Sequence, residues 1–284
     1  DPGSRRLLRS GQLCKALADA GHDTTWITSN FDHYRRALRP VPDGLVQVSD
    51  CLSLAVLEGP GYASNVGLAR VRHNRRFARS FTEYARRSDP PDIILTDIPT
   101  TEGAAAAIAY ALEKKIPSVL SIRDLWPDTF GDQLPRPLRP AASILTAPFQ
   151  WQARFACRNA TSLVGISENY LDWALQKAGR ERTSRDAVFP LAYRLPNAAP
   201  RDLAEKQLAE WGIGLDQSIV AFVGSWGRSF DRQLVLDTAR RLGGRKDIVF
   251  AIAGEPMDGS LVPEFEAAPN IRLLGWIDAF QISI

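Results

Sequence analysis

What most constrains this chain is an alternation. Short apolar runs of strand length keep giving way to segments with helical spacing, and that pattern is the mark of an α/β fold. Strands are read at 24–29, 45–49, 53–57, 92–97, 117–123, 161–165 and 187–190. Between most of them, residues 66–88, 101–114, 142–158 and 167–178 carry helical spacing. The last has Leu171, Ala174, Leu175 and Ala178 on one face and Gly179 as its stop. Residues 5–20 read as an amphipathic helix with Leu13, Ala16, Leu17 and Ala20 on its apolar face, closed by Gly21. From Tyr193 to Pro200 the chain is proline-rich and polar, as a linker is. A helix near 201–211 and a strand–helix–strand–helix–strand series at 218–223, 231–243, 248–253, 259–267 and 271–274 follow. The expectation is two α/β domains, 1–195 and 196–284, the second holding about half of such a domain.

Composition narrows the function classes. With 45% hydrophobic and 24% charged residues in 284, the chain can bury one or two substantial cores. No apolar run approaches the roughly 20 residues that span a bilayer. Cys14, Cys51 and Cys157 have neither C-x-x-C nor metal spacing and read as thiols of a reducing cytoplasm. A net charge of +3 is too small to argue for nucleic acid. Its distribution says more: Arg70, Arg72, Arg75, Arg76, Arg79, Arg86 and Arg87 crowd one helix with a single acid, Glu83. That face is either simply solvated or drawn to anionic lipid headgroups at the inner face of a membrane or to a lipid diphosphate. Phe77, Phe81 and Tyr84 make another side of the helix apolar, and their spacing leaves core and membrane both open. His22, His33 and His73 read as surface or turn histidines. No Asp-x-Asp follows a strand, so neither metal nor cofactor is expected.

Ligands of open α/β sheets bind outside the carboxyl ends of the strands, and chemistry-bearing residues gather at those ends here. After the strand ending near Ile122 come Arg123 and Asp124, the expected catalytic pair. An arginine cannot serve as a base at neutral pH but can neutralise phosphate; Asp124 can orient a hydroxyl or take its proton. The competing readings are an Arg123–Asp124 ion pair and Asp124 as the cap of a turn. Asp97, Trp126 and Asp128 are expected to line the same edge, Trp126 offering a flat apolar face of the kind that stacks on sugar rings and Asp128 a hydrogen-bond acceptor. Thr100 or Thr101 reads as a helix cap, with Glu102 in the first turn. In the second domain Gly224-Ser225-Trp226-Gly227-Arg228 joins a strand to a helix whose expected N-cap is Asp231. Glycines let backbone N–H groups approach a diphosphate, and Arg228 can add a charge-assisted bond. Gly254-Glu255 and Gly275-Trp276 end the next two strands, at the carboxyl ends where ligands bind. For Glu255 an exposed loop acid, and for Trp276 a packing role, stand as alternatives.

The segment Ser121-Ile122-Arg123-Asp124-Leu125-Trp126-Pro127 resembles a signature of bacterial glycosyltransferases of family 4, in the branch of L-fucosamine and colanic-acid type transferases. Gly59-Pro60-Gly61-Tyr62, Pro91-Asp92-Ile93-Ile94, Val164-Gly165-Ile166-Ser167-Glu168, Phe222-Val223-Gly224 and Asn270 to Trp276 agree with it in order. The resemblance implies a GT-B architecture: two Rossmann-like domains, the second incomplete here, with a nucleotide sugar held between them. It implies a retaining transferase moving a sugar from a UDP donor to a polyprenyl-diphosphate-linked saccharide in O-antigen or other polysaccharide synthesis. The departing diphosphate would help deprotonate the acceptor. Both ends of the chain read as cut: a first strand is expected before Pro2, and the family's Glu-x7-Glu motif beyond Ile284. Many members carry Arg directly after the glycine where Ser225 stands, a Lys where Phe230 stands, and His in place of Arg123. Arg228 and Arg232 are expected to substitute on the donor side. The alternatives are an inactive GT-B remnant that binds nucleotide weakly and a UDP-sugar 2-epimerase-like enzyme, for which no matching His and Glu constellation is found.

Overall fold

The computed structural model describes residues 9–33, 35–39, 44–64, 67–132, 137, 139–191, 198–224, 230–254, 262–278 and 280–284. The chain divides into two compact units, residues 1–192 and 193–284.

The first unit runs α1 (Arg9–Asp19), β1 (Thr24–Ser29), β2 (Phe31–Asp32), β3 (Ala37–Leu38), β4 (Gly44–Ser49), β5 (Leu52–Leu57) and α2 (Leu68–Arg87). It continues with β6 (Ile94–Ile98), α3 (Thr101–Lys114), β7 (Ser118–Ile122), α4 (Thr129–Asp132), α5 (Arg139–Asn159), β8 (Ser162–Gly165), α6 (Glu168–Ala178) and β9 (Ala187–Val188). β5 lies between β1, parallel to it, and β4, antiparallel. β6, β7, β8 and β9 form a wholly parallel sheet in sequence order. Its core sets Ile98, Leu120, Ile122 and Leu163 against Ala104 and Ile108 of α3, Ala153 and Ala156 of α5, and Leu171 and Ala174 of α6. Alanines on the inner helix faces bring the helix backbones close to the strands, so removing a single large partner such as Leu163 would cost about 2–5 kcal/mol.

Phe77, Phe81 and Tyr84 of α2 pack with Leu57, Ala107 and Tyr110. The aromatic stripe therefore faces the core, while Arg72, Arg75, Arg76, Arg79, Arg86 and Arg87 are exposed. α1 departs from expectation. Ala16, Leu17 and Ala20 are exposed, and Gly11 is buried with Cys14 and Ala18 half-buried beside it. These three small residues, one turn apart, form the stripe that approaches β1 and β5; the bulkier apolar positions are rotated away from it. The pair β2 and β3 is a further addition, since strands of two residues carry no periodicity to read.

The second unit contains α7 (Arg201–Glu210), β10 (Ser218–Val223), α8 (Arg232–Arg241), β11 (Ile248–Ala253), α9 (Val262–Glu266) and β12 (Ile271–Gly275), with a closing 3₁₀ turn at Gln281–Ser283. Its three strands are parallel in the order β10-β11-β12, and Leu236, Ala239, Phe250, Ile252, Phe265 and Ile271 form its main core. Asp231 caps α8 by accepting the Leu234 N–H at 3.0 Å, and Thr100 caps α3 by accepting the Gly103 N–H at 3.3 Å. Among the described residues no helix is long and apolar enough to cross a membrane.

Candidate functional site

Ile98, Ile122, Gly165 and Val188 stand side by side in register at the carboxyl edge of the four-stranded sheet. Arg123 extends that edge, its N–H donating to the Ile98 carbonyl at 3.0 Å. Its guanidinium pairs through Nη2 with Oδ2 of Asp97 at 3.0 Å, both side chains being mostly buried. Asp97 and Ser121 are register neighbours on adjacent parallel strands, so their side chains leave the sheet on one face, and Arg123 follows two residues after Ser121. Arg123 is thus paired with Asp97, not with Asp124. Asp124 is half-buried and has no hydrogen-bond or ion-pair partner among the described residues.

The other acceptor-side residues are engaged by the protein. Trp126 lies in an aromatic group, its ring centroid 5.7 Å from those of Phe130 and Phe149. The Asp128 carboxylate accepts from Trp173 Nε1 at 2.7 Å, from Lys177 Nζ at 2.9 Å and from Gln150 Nε2. Burial would raise the pKa of Asp128, but the hydrogen bonds from Gln150, Lys177 and Trp173 outweigh it and hold the carboxyl below its ordinary value. Asp128 therefore braces the α4 region to α5 and α6. Gly165, within the Val164-Gly165-Ile166-Ser167 segment, is required by packing: a Cβ there would collide with the Leu171 N–H and lie 2.7 Å from the Ser167 carbonyl oxygen.

Two groups sit deeper than expected. Glu102 is 5% exposed, its Oε2 near Asn74 and Thr101 at 3.4 Å while Oε1 is buried without a partner; burial raises its pKa. His73, read as a surface histidine, is also 5% exposed. Its Nδ1 accepts the Gly61 N–H at 3.1 Å, which leaves Nε2 to face Ser29 Oγ at 3.3 Å as a donor. Burial, then the charge of Arg70, lowers its pKa, so it is a neutral anchor for the Gly59-Pro60-Gly61-Tyr62 loop. A side chain at Gly59 would enter the His73 ring, and Gly61, at φ +73°, passes under Phe31. A glycine loop beside a histidine on a helix could have signalled this knot.

At the carboxyl edge of the second unit the geometry is one of backbone. Gly224 donates its N–H to the Ala253 carbonyl at 3.0 Å, and Gly254 donates to the Gly275 carbonyl at 2.7 Å. The three glycines thus form a row across the ends of β10, β11 and β12. Gly254, at φ +122°, could carry no Cβ because the Gly224 carbonyl oxygen occupies that place. Trp276 beyond Gly275 is 78% exposed, so it has no packing role among the described residues. Ser225, Trp226, Gly227, Arg228 and Glu255 lie outside the described residues. Asn270 is structural, donating from Nδ2 to the Ala239 carbonyl at 2.9 Å. Among the described residues no group of His, Cys, Asp and Glu has the arrangement of a metal site.

Residues 8–191 match the family described as "Glycosyl transferase 4-like domain". No curated protein matches the chain. Among solved structures it is similar to sucrose-phosphate synthase from Thermosynechococcus elongatus, with a TM-score of 0.65, 17% identity, and 96% of this chain covering 65% of that one. Anabaena HepE in complex with UDP and glucose gives 0.52 at 15% identity, covering 81% of this chain and 57% of that. WaaG, a glycosyltransferase involved in lipopolysaccharide biosynthesis, gives 0.53 at 12% identity over 96% of this chain and 66% of that. The chain therefore spans about two-thirds or less of these relatives, and the likeness establishes the α/β, GT-B fold with its Rossmann-like units.

Proposed function

The chain belongs to the glycosyl transferase 4-like family, and from that premise we propose that it is a retaining glycosyltransferase moving a sugar from UDP to a saccharide on a polyprenyl diphosphate. The observation that carries the reading is the contrast among three acids at one sheet edge. Asp97 holds Arg123, Asp128 holds Trp173 and Lys177, and Asp124 has no partner among the described residues. Arg123, held in place by Asp97, neutralises charge developing on the departing diphosphate, an electrostatic role that needs no proton transfer from the protein. Asp124 orients the acceptor hydroxyl. Trp126 borders the acceptor, while Asp97 and Asp128 act through the groups they hold.

On the donor side Gly224, Gly254 and Gly275 let the nucleotide approach the backbone. Ser225, Trp226, Gly227, Arg228 and Glu255 supply its phosphate and ribose contacts, and Trp276 offers a ring to the base. HepE crystallised with UDP supports uridine as that base. No metal is needed, since arginines supply the positive charge. Asp124→Asn should lower transfer about a hundredfold while UDP affinity holds; full activity in that variant would remove Asp124 from the mechanism.

A lipid-linked acceptor places the work at a membrane surface. α5 exposes Ile144 at 77%, Leu145 at 63% and Trp151 at 65%, and exposed Arg154 and Arg158 follow on the same helix. Apolar and aromatic side chains beside cations suit an anionic bilayer interface. Wild-type protein should float with phosphatidylglycerol vesicles and Trp151→Ser should float less; equal flotation on neutral and anionic vesicles would speak against this contact.

A further inference from the structure

The carboxyl edge of the first unit holds an arginine that the reading above does not use. Arg9, at the start of α1, reaches the segment after β9: its Nη2 donates to the Phe189 carbonyl at 3.1 Å, and its guanidinium lies 5.5 Å over the Phe189 ring. The next residue, Ser10, meets Arg123 Nη1 at 3.4 Å. Arg9 and Arg123 are thus brought to the same edge from distant parts of the unit's sequence.

Each is held by protein contacts and leaves one nitrogen unused. Arg9 Nη1, Arg123 Nε and the hydroxyl of Ser121 are all buried with no partner among the described residues. Ser121 itself is 4% exposed. It shares the sheet face of Asp97, which is the carboxylate Arg123 holds. Buried donors are costly to leave without acceptors. Charge points the same way, because Asp97, already paired with Arg123, is the carboxylate that acts on Arg9 as well. Burial lowers the pKa of Arg9, Asp97 raises it and Arg123 lowers it, so the two cations feel each other across this edge.

We infer that Arg9 and Arg123, with the Ser121 hydroxyl, seat one phosphoryl group of a diphosphate. A tetrahedral oxyanion supplies acceptors in several directions, and planar guanidinium forks match it in pairs. The anion also balances the second arginine. Only the choice of a diphosphate rests on the transferase reading; the seat itself rests on the buried donors. Arg9 and Arg123 are pre-oriented by Phe189 and Asp97, so little side-chain freedom is lost on binding.

Calorimetric titration of the whole chain with inorganic pyrophosphate tests the seat. Arg9→Gln, Arg123→Gln and Ser121→Ala should each weaken binding, the arginine variants by about tenfold or more. Arg245→Gln, which alters an exposed pair of the second unit, should leave it unchanged. If Arg9→Gln fails to fold, Arg9→Lys replaces it, keeping the charge but losing the fork and so binding less tightly. Parallel titrations with farnesyl diphosphate and UDP identify the source. Arginine dependence for farnesyl diphosphate alone assigns the seat to the lipid acceptor, and dependence for UDP assigns it to the donor. Arginine-dependent pyrophosphate binding without affinity for either organic ligand would keep the seat and remove the transferase reading. Wild-type protein that ignores pyrophosphate, or folded Arg9 and Arg123 variants that bind it as well as wild type, would overturn the inference.

Discussion

The two units present their parallel strand ends in different materials. At the edge of β6 and β7 the structure arranges charged side chains: Asp97 fixes Arg123 at 3.0 Å, Asp124 stands beside it, and Arg9 reaches in from α1. At the edge of β10, β11 and β12 it removes side chains, leaving Gly224, whose N–H donates to Ala253, beside Gly254, whose N–H donates to Gly275. In the proposed reading one edge meets developing charge and the other lets a ligand lie against peptide groups. A group-transfer enzyme needs both: recognition of a large, invariant carrier, and electrostatics focused where a bond breaks.

The sharpest way to break this comparison is to give the glycine edge a side chain. Gly254→Ala must displace the Gly224 carbonyl from a backbone position at φ +122°, and should cost about 3 kcal/mol or more together with UDP affinity. Gly165→Ala in the first unit should be comparably destabilising, since its obstacles are the Leu171 and Ser167 backbones, yet it should spare UDP affinity. Thermal unfolding alongside UDP titration separates the two. If Gly254→Ala keeps both stability and affinity, close backbone approach is not what that edge provides.

A smaller effect comes from a carboxylate of the first unit that holds structure alone. Asp186, whose side chain is 0% exposed, accepts a two-armed bond from Arg180 at 2.6 and 2.8 Å and the Leu163 N–H at 2.8 Å. The Arg180 bond and backbone donors outweigh burial and depress its pKa strongly. A depressed carboxyl contributes stability above its unfolded pKa of about 3.9 and loses it as pH falls toward the folded value. Asp186→Asn should therefore cost about 3 kcal/mol at pH 7 and much less below pH 3. Denaturant unfolding across that range checks the convergence; parallel curves would show that the ion pair is not the source of the acid sensitivity.

Asp128→Asn should have the smallest effect. Its carboxylate is 41% exposed, so solvent screening limits the loss of the Lys177 and Trp173 contacts to about 1 kcal/mol. Acceptor KM should hold if Asp128 is a brace. A large rise in KM at unchanged stability would restore it as a substrate contact.

These distinctions mark how far the sequence could be read. The run from Pro117 and its Arg123 end were legible because a buried parallel strand is a continuous apolar stretch with charge placed immediately after it. Asp231 and Thr100 were legible as caps because capping is local chemistry, and Gly179 as a helix stop for the same reason. Pairings across the chain were not. Arg123 could be matched with its neighbour Asp124 on paper, but sheet register brings Asp97 instead. The role of Arg9 depends on Phe189, 180 positions away. The buried side of α1 was misread because small residues, rather than the most apolar ones, set its approach to the strands. His73 carries no sequence mark of burial except the glycines packed on its ring.

The measurement that tests the central claim most directly is calorimetric titration with UDP, in EDTA, of the wild-type chain and of Arg228→Ala. Saturable binding that persists without divalent cations and weakens in the variant is the result expected of a donor edge built from glycine backbone and arginine. No saturable binding, or binding that appears only when a divalent cation is restored, would contradict it.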